Sequence, residues 1–191
     1  RTVENIGFYS SLGFLPGPLT ITLQTDAATA DLTAMGSLRR SSEDARDAQL
    51  AACRDLLTSL GGAGDYTREM QLSLEMDLGD VVLLHEGDAL RGFALWHGIP
   101  LAEGRGAEDL RILKLVAVDT SSALALIRGV CDAAVRLRIP HVSLRCQGDR
   151  HELYAALTRD RWLVQWTDLR MTLASYPEPE TRGVVLSNWE I

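Results

Sequence analysis

Apolar and polar residues follow one another along this chain in two rhythms, one near 3.6 residues and one of two, and the changes of rhythm mark out the elements. Ser41 or Ser42 can cap a helix over residues 42–60, with acids in its first turn and Ala45, Ala48, Ala52, Leu56 and Leu60 forming one stripe. Gly61-Gly62-Ala63-Gly64 ends it, and Asp65 caps a second helix in which Tyr66, Met70, Leu74 and Leu78 recur every four positions. The run Val81-Val82-Leu83-Leu84, the turn Glu86-Gly87-Asp88 and the segment Ala89–His97 predict a hairpin. After a polar, Gly-rich loop over residues 98–108, Leu110–Val118 reads as a strongly β-prone strand. The clearest helix covers residues 120–137, with Ala123, Leu126, Ile127, Val130, Ala134 and Leu137 on one face and Pro140 as its stop. His141–Cys146 is the next strand, a helix runs over residues 149–159, and strands are expected near Leu163–Trp166 and Leu169–Leu173. Beyond Tyr176, Pro177 and Pro179 precede the short apolar run Val184-Val185-Leu186.

Ahead of residue 42 the pattern is more broken. Residues 3–12 predict a short helix stopped by Gly13, and the prolines and glycine of Phe14-Leu15-Pro16-Gly17-Pro18 argue against a regular element. Leu19–Leu23 alternates as a half-buried strand, and residues 24–40 read as a linker or mobile loop. From residue 42 the order is α-α-β-β-β-α-β-α-β-β. Three consecutive strands exclude a doubly wound sheet and point to an α+β fold with a mixed, mostly antiparallel central sheet flanked by helices. Helix 120–137 then joins two parallel strands.

Composition changes this picture only at the margins. The 191 residues are 46% apolar and 24% charged, ordinary values for a chain with a core. A net charge of −7 argues against a nucleic-acid partner, which needs a basic face. Cys53, Cys131 and Cys146 are an odd number without CxxC spacing, the pattern of reduced thiols in a cytoplasmic protein rather than of a metal site or disulfide framework. No apolar run approaches membrane-spanning length, and neither a signal peptide nor a membrane partner is expected. The opening at Arg1 instead of Met leads us to expect further chain upstream.

The segment Asn5-Ile6-Gly7-Phe8-Tyr9-Ser10-Ser11-Leu12-Gly13-Phe14 has an Asn opening a helix, an aromatic-Tyr pair inside it and Gly-Phe at its end. It resembles the late helix of GNAT acyl-CoA N-acyltransferases, and the following Leu19–Leu23 resembles that fold's last strand. The α-α-β-β-β-α-β-α-β-β order resembles the same fold, which adds a strand at the front that Leu19–Leu23 could supply. In the family the Asn-Tyr segment comes late, whereas here it stands first. The resemblance therefore implies a tandem protein: residues 1–24 finish one GNAT-like unit or donate a strand to the second, residues 25–175 form a GNAT-like unit, and residues 176–191 are an extended tail. Leu153–Trp162 is a weaker echo of the same segment, with Arg161 where Gly is expected and no Asn at its start.

What the resemblance implies chemically is acetyl transfer from acetyl-CoA, as co-substrate, to a small amine. Asn5 would help bind CoA and Tyr9 would protonate the departing thiolate; Tyr154 is the equivalent candidate in the second unit. The pantetheine arm would pair with an exposed strand edge at Val116 and Val118, between splayed parallel strands, and the pyrophosphate would sit at the loop carrying Thr120, Ser121 and Ser122. That loop departs from the family's Arg/Gln-x-x-Gly-x-Gly/Ala: Val118-Asp119-Thr120-Ser121-Ser122-Ala123 is short, acidic and without glycine, so this unit is expected to be degenerate, with Asp119 or Thr120 serving as a helix cap. A ligand-binding or assembly module that lost catalysis is the alternative. A strand whose sheet lies upstream would also promote a homodimer or a strand swap.

The remaining chemistry-bearing residues read as structural. Glu86 and Asp88 belong to turn chemistry, His85 and His97 stand at strand ends, His141 and His151 have no ligand spacing, Tyr154 sits where it can pack on the sheet, and the tryptophans read as core.

Overall fold

Each helix and strand of the long central stretch forms where its local signals place it. The computed structural model describes residues 3–28, 35–101, 104 and 106–188. Helices α2 (Glu43–Ser59) and α3 (Thr67–Glu75) precede the hairpin β3 (Gly79–Glu86) and β4 (Ala89–His97), the strand β5 (Asp109–Ala117) and helix α4 (Thr120–Leu137). Strand β6 (His141–Gln147) and helix α5 (His151–Arg159) follow. The Ser42 hydroxyl caps α2 by accepting from Ala45 N, and Asp65 accepts from Thr67 N at the start of α3.

The sheet runs β2-β3-β4-β5-β6-β1-β7, where β1 is Phe14–Asp26, β2 is Gly36–Ser37 and β7 is Leu163–Leu173. Every pairing is antiparallel except β5 with β6. One core lies between the sheet and α4 with α5, built on Leu110, Ile112, Leu115, Leu126, Val130, Leu144 and Leu157. A second lies on the opposite face beneath α2 and α3, built on Leu50, Leu57, Met70, Leu83, Phe93 and Val116. The buried residues of β5 change parity between the two: Leu110 and Ile112 face α4, and so do Leu115 and Ala117. One extra residue at Leu113 causes this, since Lys114 pairs with Leu95 but Ile112 pairs with Trp96.

Five sequence readings are corrected. Strand β1 runs from Phe14 straight through Pro16 and Pro18. Its pairing with β6 begins only at Thr20, so on that side the prolines have no ladder amide to supply, and the register on β7 shifts between Pro16 and Leu19. The strand lies between β6 and β7, not at the front of the sheet. The front edge is β2, inside the stretch read as a linker; residues 29–34 of that stretch lie outside the described residues. The expected strands at Leu163–Trp166 and Leu169–Leu173 are one strand, β7. The tail is anchored: Val184–Ser187 is a strand, β8, paired with β5.

Helix α1 (Val3–Ser11) buries no side chain. Phe8 is 60% exposed, and Leu12, Leu15, Leu19, Leu163, Val164 and Trp166 are each exposed over about half of their surface or more, making an apolar belt over α1, β1 and the edge strand β7. Trp166 is therefore not core, whereas Trp96 and Trp162 are; Trp189 lies outside the described residues. The three cysteines are buried and free, and burial pushes the thiols of Cys53, Cys131 and Cys146 up to about 12, 11 and 12. They stay protonated and unreactive. Among the described residues no helix is long and apolar enough to cross a membrane.

Candidate functional site

The N-terminus of α4 is closed by its own sequence. Asp119 is extended (φ −156°, ψ 173°), and its Oδ1 accepts from Ser122 N at 2.7 Å and from the Ser121 hydroxyl at 2.8 Å. Its Oδ2 meets Arg91 at 3.1 Å, and Thr120 donates to Glu152 at 2.8 Å. The Ser122 backbone amide leads the interactions that hold the Asp119 carboxyl down to about 2. A helix N-terminus attracts anions through its free amides and dipole; here a resident carboxylate takes that place. Asp119→Ala should destabilise the chain by about 1 kcal/mol at pH 7. A depressed carboxylate pKa stabilises above the unfolded value and stops doing so as pH falls through the folded one, so the difference between the two proteins should vanish as pH approaches about 2. Urea titrations of both proteins across that range measure it.

Beyond the α4 mouth, β5 and β6 part. Their parallel pairing covers Asp109–Ile112 against His141–Leu144 and stops at the bulge. The wedge so opened is occupied. β8 takes the vacated edge, pairing Lys114 with Ser187, Leu115 with Leu186, Val116 with Val185 and Ala117 with Val184. Asn188 closes the inner end: its N–H donates to Leu113 O at 2.9 Å, its side-chain amide donates to Arg145 O at 3.1 Å, and its carbonyl accepts from Lys114 Nζ at 2.6 Å.

Lys114 is the one lysine among these strands and its side chain is 0% exposed. Nζ lies 3.3 Å from Glu69 Oε1 on α3 and 5.4 Å from the centre of the Tyr66 ring. Desolvation pushes its pKa down, and Glu69 offsets part of that. Nearby on α3 and β4, Ser73 Oγ and His97 Nε2 are 2.8 Å apart and buried, so His97 is a satisfied core histidine. The Lys114, Glu69 and Asn188 cluster escaped the sequence reading. Its one local signal is a lysine inside Leu110–Val118, an otherwise apolar run apart from Arg111.

The structure divides the other candidate residues among three places. Asn5 and Tyr9 line a cleft of about 200 Å³ with Ile6, Phe14, Leu169 and Met171. Tyr9 is edge-on to both Phe8 and Phe14. Val116, Val118, Thr120, Ser121 and Ser122 belong to β5 and the α4 mouth. Strand β5 lies three strands from β7, about 14 Å at ordinary strand spacing. Val116 carries the β8 ladder, and Val118 N donates to Arg91 O at 3.1 Å. Tyr154 is half buried and packs against the α4-side core. Elsewhere, a cavity of about 880 Å³ between α4 and the β2–β4 edge is bordered by Met35, Arg39, Asp80, Trp96 and Arg136, none of them a candidate from sequence. Among the described residues no group of three or more His, Cys, Asp or Glu is placed to hold a metal ion.

No family model matches this sequence, and no curated protein matches it. Solved structures do. The chain superposes on a GCN5-related N-acetyltransferase from Sphaerobacter thermophilus with a TM-score of 0.59 at 14% identity, covering 98% of this chain and 60% of that one. A putative acetyltransferase from Pyrococcus horikoshii gives 0.60 at 11% identity, covering 96% and 57%. A GCN5-related N-acetyltransferase from Kribbella flavida gives 0.55 at 13%, covering 88% and 63%. The chain therefore has the GNAT fold, the mixed, mostly antiparallel sheet flanked by helices expected from its sequence. It spans less than two thirds of the length of each of these three proteins.

Proposed function

We propose that this chain is the later part of a tandem GNAT-type N-acyltransferase, a cytoplasmic enzyme that moves an acetyl group from acetyl-CoA to a small amine, and that the unit described here is its degenerate, non-catalytic half. In that reaction the thioester C–S bond breaks, a C–N bond forms, the amine gives up a proton and the departing thiolate takes one. Asn5 and Tyr9 would serve the preceding unit, Asn5 in holding CoA and Tyr9 as the acid. The observation that carries the degenerate half is the β8 ladder on Lys114–Ala117, which fills the strand edge that a pantetheine arm would need. The Asp119 cap on Ser122 adds to it, and it counts against an alternative acetyl-CoA site at Thr120, Ser121 and Ser122 served by Val116, Val118 and Tyr154. The tandem arrangement is favoured by the exposed belt on α1, β1 and β7, which asks for a covering partner, and by the greater length of the structural neighbours. A chain made only of these residues would associate through that belt, as a homodimer or by exchanging β1. A closed cleft also suits the second reading, a non-enzymatic assembly module of GNAT fold.

The two readings part on one experiment with two arms. Acetyl-CoA should leave the melting temperature of this chain unchanged, and an upward, saturable shift would sink the degenerate assignment. In the protein that includes the preceding unit, Tyr9→Phe should lower kcat about a hundredfold or more with acetyl-CoA affinity retained, the range of a lost general acid. An unchanged kcat removes Tyr9 from the mechanism and favours the assembly module.

A further inference from the structure

The wedge between β5 and β6 has the construction of a slot for an extended chain. The bulge at Leu113 turns β5 away from β6 and leaves the edge Lys114–Ala117 to be paired from one side, which β8 does with a regular antiparallel ladder. Side chains alternate into two recesses: Val184 and Leu186 are buried in the α4-side core, and Val185 packs against the core under α2 and α3. Asn188 is clamped at three atoms at the inner end. At the outer end Gly183 has φ +68° and lies so close to the Ala117 carbonyl that a Cβ would fall 2.4 Å from its oxygen. Arg150 donates to Gly183 O at 3.3 Å and to the Thr181 hydroxyl at 2.9 Å. Main-chain ladder, two side-chain recesses, a glycine entry and an amide clamp are all contacts that a separate peptide could make. The link that ties this segment to β7, Tyr176–Glu180, is exposed along its whole length, with Glu178 reaching back to Arg170.

We propose that the β5/β6 wedge is a peptide-binding slot whose resident ligand is the chain's own Thr181–Asn188 segment, held in cis. Its ligand class is an extended peptide with glycine at the mouth, branched apolar residues at successive positions that alternate between the two recesses, and an asparagine held by its side-chain amide at the inner end. Withdrawal of the segment uncovers the β5 edge and Lys114. The proposal deepens the closed-cleft reading above but does not depend on acetyl-CoA, so each can fail without the other.

The test starts from the whole folded chain. A protease site placed in the exposed Tyr176–Glu180 link is cut under native conditions, and a fluorescein-labelled synthetic Thr181–Asn188 peptide is added in excess. The labelled peptide should exchange into the slot, with a saturable rise in anisotropy that the unlabelled peptide reverses and a peptide carrying Leu186→Asp does not. Failure to take up the label, or collapse of the cut chain, would make β8 an ordinary core strand and overturn the proposal. Hydrogen exchange on the uncut chain gives a second reading: amides of Val184–Ser187 should exchange at least tenfold faster than those of Leu23 and Leu144 in the sheet centre. Equal protection would also overturn it.

Discussion

Leu186→Asp should lower the stability of the chain by about 3 kcal/mol, a drop of roughly 6–12 °C in melting temperature for a protein of this size. Leu186 is 1% exposed and packs in the core formed with α4, so the substitution removes an apolar side chain and sets a carboxylate among Leu115, Ala117 and Val184. Burying an uncompensated carboxylate would on its own cost more than this, several kcal/mol. The chain has a cheaper response, releasing β8 and keeping the rest folded, so the loss is capped at the free energy with which the segment docks. The signature is therefore local. Exchange should quicken at β8 and along Lys114–Ala117, while Leu23 and Leu144 keep their protection. Urea unfolding followed by tryptophan fluorescence gives the total, and a loss below about 1 kcal/mol would show that β8 contributes little to the wedge.

Glu69→Ala should cost about 2–3 kcal/mol at pH 7, less than the full price of breaking a buried pair because the Asn188 carbonyl and the Tyr66 ring still face Lys114. Lys114→Met combined with Glu69→Gln should recover most of the loss, since neither a buried cation nor an unpaired carboxylate then remains. The pH dependence separates this account from simple loss of packing. Burial lowers the Lys114 pKa below its ordinary 10.5, so between the folded value and 10.5 the unfolded chain binds more protons and stability rises with pH. Losing Glu69 depresses the folded pKa further. The penalty for Glu69→Ala should accordingly shrink as pH rises toward 10.5, because the variant sheds the Lys114 proton at a lower pH than the parent chain does. A penalty constant from pH 7 to 10 would mean that Lys114 charge is not what Glu69 balances.

The elements that were legible in the sequence share a property: their signals lie within a few residues of each other. Ser42 with Ala45 and Asp119 with Ser122 are caps closed over three positions, and both are legible in the local order; the cap expected of Asp65 falls one residue early, since Tyr66 holds the cap position of α3 and Asp65 accepts from Thr67 N ahead of it. The hairpin of β3 and β4 was readable because its turn is short. The misreadings fell where local rules were overridden. Proline and glycine at residues 16–18 argued for a break, but a strand can pass through them where one side needs no ladder amide. Thr167 and Asp168 looked like an interruption in β7, yet both pair across to β1. Strands β2 and β8 were too short to carry a period at all.

By itself, then, the amino-acid order determined the helices, the hairpin, the parallel strands on either side of α4, the fold class and the carboxylate at the α4 mouth. These follow from periodicity, capping and turn chemistry, which act over one or two turns of chain. Only the tertiary structure decided that β1 lies between β6 and β7, that the wedge is filled by the chain's own tail, and that Lys114 meets Asn188 across 74 positions. Such pairings are chosen among many alternatives by edge hydrogen bonds and burial after the sheet has assembled, and no local pattern at Val184–Ser187 names β5 as its partner.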